Sequence, residues 1–129
     1  MENCESRISE HLWDKLEVFT TYQDEPDTME DGNEDIPPFH EYGLDFSYVE
    51  PDTFTDQREG YLRYQLSWGG PSDEFRYYVN ADGSVHRVEY WFLDWFDGAH
   101  IKLTGDNENL MLNVFEWLTG GDVSHLINE

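Results

Sequence analysis

Apolar residues recur at helical spacing near the start of the chain, at a spacing of two through its middle, and at helical spacing again towards its end. Ile8, Leu12, Leu16 and Phe19, with Trp13 on the flank, predict an amphipathic helix over residues 5–20. Its opposite face holds Glu10, Asp14 and Glu17, four and three positions apart. Such like-charge neighbours cost a few tenths of a kcal/mol each. Lys15 is a partial counterweight.

From residue 44 the period becomes two. Leu44, Phe46 and Tyr48 alternate with Asp45 and Ser47, and Leu62, Tyr64, Leu66 and Trp68 alternate with Tyr61, Arg63, Gln65 and Ser67 up to Gly69-Gly70-Pro71. These read as half-buried strands. Phe75, Tyr77 and Val79 form a third, ending at Asn80-Ala81-Asp82-Gly83, a sequence suited to a type I turn with a left-handed glycine. Residues 85–96 carry large apolar groups on both faces, which predicts a central strand covered on both sides.

Asp97-Gly98 is a two-residue hairpin signal that pairs Phe96 with Ala99 and Trp95 with His100, leading into a strand from Ala99 to Leu103. That register places Asp94 on one face with Phe92, Phe96, Ile101 and Leu103, where a carboxylate needs a partner. Thr104-Gly105-Asp106 then caps a helix whose stripe is Leu110, Met111, Val114, Phe115 and Leu118, ending at Gly120-Gly121. Asp122 starts a final short turn through Ile127. The order predicts an α+β domain: an N-terminal helix, a four- to five-stranded antiparallel meander, and a C-terminal helix packed on one face. A single domain spans residues 1–129.

Residues 23–38 break the pattern. They contain seven acidic residues, three prolines and few apolar anchors, and read as an acidic loop within the domain. Asp27, Asp31 and Gly32 occupy the first, fifth and sixth places of a calcium loop, but Met29 at the third and Pro38 at the twelfth lack the required oxygens. No metal site is expected there.

Composition sharpens the picture. Twenty-nine Asp and Glu against seven Lys and Arg give a formal charge of −22, yet 21 residues are aromatic. A disordered acidic tail has few aromatics, so a folded body with a negative surface follows. The charge is uneven, with 18 acidic and three basic residues in the first 60. Cys4 alone forms no internal disulfide, and residues 1–10 lack the apolar run of a signal peptide. No window reaches the length of a membrane span. A cytoplasmic location is the expectation.

Few chemistries find support. The histidines at 11, 40, 86, 100 and 125 form no close ligand pair, and no nucleophile elbow, phosphate loop or dinucleotide fingerprint is present. Neither an enzyme nor a cofactor is expected. Direct binding to nucleic acid or an anionic membrane is opposed by charge of the same sign. A basic partner suits the surface better.

In composition the chain resembles the DNA-mimic inhibitors that phages and mobile elements use against restriction or CRISPR nucleases. The resemblance implies an anti-defence inhibitor that offers carboxylates in place of phosphates to a basic nucleic-acid-binding protein or nuclease. The candidate partner-binding residues are Glu10, Asp14 and Glu17 with Asp24, Glu25, Asp27, Glu30, Asp31, Glu34 and Asp35. The alternatives are an immunity protein or antitoxin that plugs a basic toxin, with Tyr61, Trp68, Trp91 or Trp95 as anchors, and an ordinary domain adapted to high salt. Exposed sheet edges would permit a homodimer.

Overall fold

A computed structural model describes residues 4–53, 57–67, 72–80, 82–94 and 97–120. Helix α1 (Cys4–Asp24) is followed by two short helices, α2 (Pro26–Asp31) and α3 (Phe39–Tyr42). Five strands come next: β1 (Asp45–Val49), β2 (Tyr61–Ser67), β3 (Ser72–Val79), β4 (Val85–Asp94) and β5 (Asp97–Lys102). Helix α4 (Gly105–Thr119) closes the described chain. The strands lie in sequence order, each antiparallel to the next, as the period-two pattern predicts.

Alternation decides which side chains meet the helices. Leu62, Tyr64, Phe75, Tyr77, Val88, Tyr90 and Phe92 share a core with Ile8, Leu12, Leu16 and Phe19 of α1 and with Leu110, Met111, Val114 and Phe115 of α4. Both long helices therefore cover one sheet face. Burial of each such side chain contributes about 1.5–3 kcal/mol, and the aromatic ones also interlock edge to face. Phe19 lies 5.4 Å from Tyr42 and 5.9 Å from Phe75, ring centre to ring centre.

Two ion pairs fix α1 over the sheet. Arg7 Nη1 donates to Asp94 Oδ2 at 2.6 Å, which supplies the partner that Asp94 requires on the inner face. Lys15 Nζ lies 3.8 Å from Asp73 Oδ2. Asp73 is only 3% exposed, and its carboxylate also accepts hydrogen bonds from Tyr90 (2.6 Å) and Ser67 (2.5 Å). Several donors together make a buried carboxylate tolerable.

The outer sheet face has a different cover. Arg76 sits 3.7 Å above the ring centre of Trp91 and 4.6 Å from that of Tyr61, and its Nε donates to Glu74 at 2.7 Å. Arg87 lies 3.8 Å over Tyr78 and pairs with Glu59 and Glu89. Long planar cations thus shield the strands. Of the strands, β3 is the central one; on the outer face Arg76 covers Trp91 of β4 and Arg87 covers Tyr78 of β3, and among the described residues no second layer of secondary structure lies there.

The β4–β5 hairpin departs from the sequence expectation. Ala99 stands opposite Phe92 instead of Phe96, and Asp94 pairs with Asp97, so Asp97-Gly98 lies inside β5. Cross-strand pairing outweighs the local turn preference: Trp91 stacks on His100 at 4.3 Å and 11°. Gly98 lies against the end of the Leu93 side chain, where a Cβ would come within 2.9 Å of Leu93 Cδ2. The slip is four positions, an even number, so every residue keeps its expected face. Trp95 and Phe96 lie outside the described residues, as does the Asp122 turn.

Other boundaries follow local signals. Gly83 takes φ 88° and its N–H bonds to Asn80 O at 2.9 Å, the left-handed glycine expected after β3. Gly120 ends α4 at φ 66°, but Thr104 forms no side-chain cap at its start. Leu44, expected inward with Phe46 and Tyr48, precedes β1 and is 51% exposed.

Three outcomes test this packing. Tyr90→Phe is expected to cost about 1–3 kcal/mol by denaturant unfolding, because it removes a donor from a buried carboxylate. Lys15→Met should cost less, since the ammonium is longer-ranged at 3.8 Å and its side chain is 26% exposed. Burial raises the pKa of seven of the eight tyrosines above 10.0, with Tyr22 and Tyr61 pushed up to about 12. The unfolded chain then releases these protons first, so stability is full below pH 10 and falls as pH rises above it. Tyrosinate absorbance for this set is expected to rise together with loss of the folded circular dichroism; ionisation near pH 10 in an intact fold would contradict it.

Candidate functional site

Between Lys15 and Arg58 the chain runs from residue 16 to residue 57 without a Lys or Arg, and this stretch carries thirteen carboxylates. Its backbone is more ordered than an acidic loop implies. Helix α1 continues to Asp24, and α2 occupies the middle of residues 23–38. Thr28 is buried, while Met29 and Ile36 pack against the core as apolar anchors. Tyr22 donates its hydroxyl proton to Pro37 O at 2.5 Å. The Asn33 side chain accepts the Asp35 and Ile36 N–H groups, each at 2.8 Å. Gly32, at φ 76°, allows the turn where a Cβ would lie 2.7 Å from Ile36 O. Sequence reading underrated this segment because two isolated apolar residues give no periodicity.

All ten candidate carboxylates, Glu10, Asp14, Glu17, Asp24, Glu25, Asp27, Glu30, Asp31, Glu34 and Asp35, are exposed. Glu10, Asp14 and Glu17 stand on the solvent side of α1, and the other seven continue from its last turn through α2 to residue 35. The neighbouring cations face away. Arg7 and Lys15, the only Lys or Arg in α1, reach Asp94 and Asp73 on the sheet. Lys15 therefore does not balance the carboxylate stripe. Asp24 and Glu25 also lie at the carbonyl end of α1, which has no basic residue in its last turn. Negative charge there opposes the helix dipole.

Trp13 stands inside this surface. It is 63% exposed, three residues from Glu10 and four from Glu17, so all three project from one helix face. Among the described Phe, Tyr and Trp residues it, and not Tyr61, is exposed: Tyr61 is fully buried beneath Arg76 on the outer sheet face. Trp91 is half-buried under the same guanidinium, and Trp68 lies outside the described residues. Sequence pattern placed Trp13 on the flank of the stripe; its degree of exposure needed the packed helix.

Other chemistry is sparse. Among the described residues no group of three His, Cys, Asp or Glu is arranged to hold a metal ion. His86 lies 3.5 Å from Glu59, and His11 stacks on Phe92 at 4.3 Å. Among the described residues no helix is long and apolar enough to cross a membrane. No protein-family model matches the chain, and comparison with curated proteins and with solved structures returns no match.

Because the acidic face adds repulsion without making described internal contacts, it should be dispensable for folding. The triple change Glu10→Lys, Asp14→Lys and Glu17→Lys keeps three like charges side by side but lowers the net charge of −22, and is expected to leave the fold intact with a stability change of no more than a few tenths of a kcal/mol. Urea titration with circular dichroism checks this; a marked loss of stability would make these residues structural.

Proposed function

We propose that this protein is an acidic inhibitor that presents carboxylates in place of nucleic-acid phosphates and blocks a basic DNA- or RNA-binding protein or nuclease. An anti-restriction or anti-CRISPR role fits such an inhibitor. The observation that carries the reading is the exposure of all ten carboxylates along the segment from α1 through α2 to residue 35, from which the nearby cations are turned away.

Duplex DNA presents about one negative charge per 1.7 Å of axis, and its binding grooves take much of their affinity from Lys and Arg contacts. Neighbouring positions on a helix surface lie about 5–6 Å apart, so carboxylates held on helices can meet cations arranged to receive phosphates. A rigid frame also lowers the ordering cost of binding. Long-range attraction would speed encounter and fade with salt.

A second reading, an immunity protein for a basic toxin, is favoured by Trp13. An exposed tryptophan ringed by carboxylates suits a pocket-filling anchor with charge as the steering element. The two readings rank substitutions differently.

The test is retention of a partner from source-cell lysate at low salt, identification by mass spectrometry, and competition with duplex DNA. Mimicry expects one basic nucleic-acid-binding protein, displaced by duplex, with affinity lowered about tenfold or more by the α1 triple reversal. Immunity expects one toxin that duplex does not displace, with Trp13→Ala costing more than any single carboxylate. Failure to fold at low salt, with recovery in molar salt, would instead point to high-salt adaptation and sink both.

A further inference from the structure

The sheet edge at β1 carries a second feature. The strand pairs only with β2, and among the described residues nothing pairs along its other side. Beside it opens a cleft of about 230 Å³ walled by Phe39, Phe46, Tyr64 and Leu118, with Leu44 and Asp45 at its edge. Its volume is below the roughly 300–1,000 Å³ of small-molecule sites. It suits a single long side chain.

The surroundings select the chemistry of that side chain. Leu44 is half exposed although its place in the alternation is apolar, so an apolar surface waits at the mouth. Asp45, whose carboxylate accepts the Ser47 hydroxyl at 2.8 Å, lines it together with His40, which lies 3.8 Å from the Glu41 carboxylate, and α4 brings its carbonyl end near Leu118 with no basic residue in the last turn. An apolar bed with a negative mouth matches an aliphatic stem ending in a cation. Tyr64, 3% exposed, forms part of the wall and keeps a buried hydroxyl without a hydrogen-bond partner. Gly43 makes room for it, since a Cβ there would lie 2.2 Å from the Tyr64 ring.

The geometry points to a docking site for an extended basic segment of the partner: the segment adds to the β1 edge and seats one Lys or Arg stem in the cleft, its cation beside Asp45. This rests on the reading that the partner is basic. A second copy of the chain is a poor occupant, because each brings a charge of −22.

The experiment is a nuclear magnetic resonance titration of the isotope-labelled full chain with a synthetic peptide of alternating Lys and Val, and with its Glu and Val counterpart. Shifts are expected in the amides of Leu44–Val49 and Leu118 with the Lys peptide alone. The double variant Leu44→Gln, Asp45→Asn changes exposed groups, so it should fold normally and weaken this binding about tenfold. Shifts confined to α1 and α2 would overturn the cleft as the site while leaving the inhibitor reading intact. Peptide-independent, concentration-dependent changes at β1 would replace the basic segment with a second copy. No response to either peptide, with a lysate partner still retained, would overturn the docking site alone; absence of both would remove the basic-partner reading as well.

Discussion

The structure depends on where seven cations go among 29 carboxylates. Among the described residues four of them form ion pairs at the sheet: Arg7 with Asp94, Lys15 with Asp73, Arg76 with Glu74, and Arg87 with Glu59 and Glu89. The ion pairs at Asp94 and Asp73 join α1 to the sheet and relieve carboxylates that would otherwise be buried without a counter-charge. The same allocation removes positive charge from the outside of α1. Stability of the sheet and polarity of the helix surface are thus one arrangement seen from two sides.

Aromatic side chains make that arrangement possible in a small body. On the inner face they fill the space between a single sheet and two helices, and their edge-to-face contacts reach from β3 through Phe19 to α3. On the outer face Tyr61, Tyr78 and Trp91 provide the surfaces on which Arg76 and Arg87 lie. Arginine suits this role because its planar, weakly hydrated guanidinium stacks and hydrogen-bonds at once. A lysine there would keep the charge and lose the cover.

The acidic segment is the part whose physics points beyond folding. Carboxylates at the carbonyl end of α1 and in like-charge neighbours along it oppose stability. The fold nevertheless holds them on a defined backbone through Thr28, Met29, Ile36, the Tyr22 hydroxyl and the Asn33 turn. A solvated tail would carry equal charge without these contacts. Order in a repulsive segment fixes the positions of its charges, and Trp13 adds an exposed apolar surface among them.

Periodicity alone determined the α+β class, the meander order, the inner faces of the strands and the glycine-marked ends of β3 and α4, because these follow from local backbone preference and the need to bury one stripe or face. It also located the carboxylates later found exposed. Tertiary packing set what alternation leaves open. The β4–β5 register brings Trp91 against His100, and an even slip changes partners without changing faces. The order of residues 23–38 came from contacts made at a distance by Tyr22 and the core. The exposure of Trp13 and Leu44, the burial of Tyr61, and the turning of Arg7 and Lys15 towards Asp94 and Asp73 likewise depended on elements far apart in the chain. Sequence records which side chains are available; only the assembled sheet and helices bring opposite charges within reach and decide which surface is left uncovered.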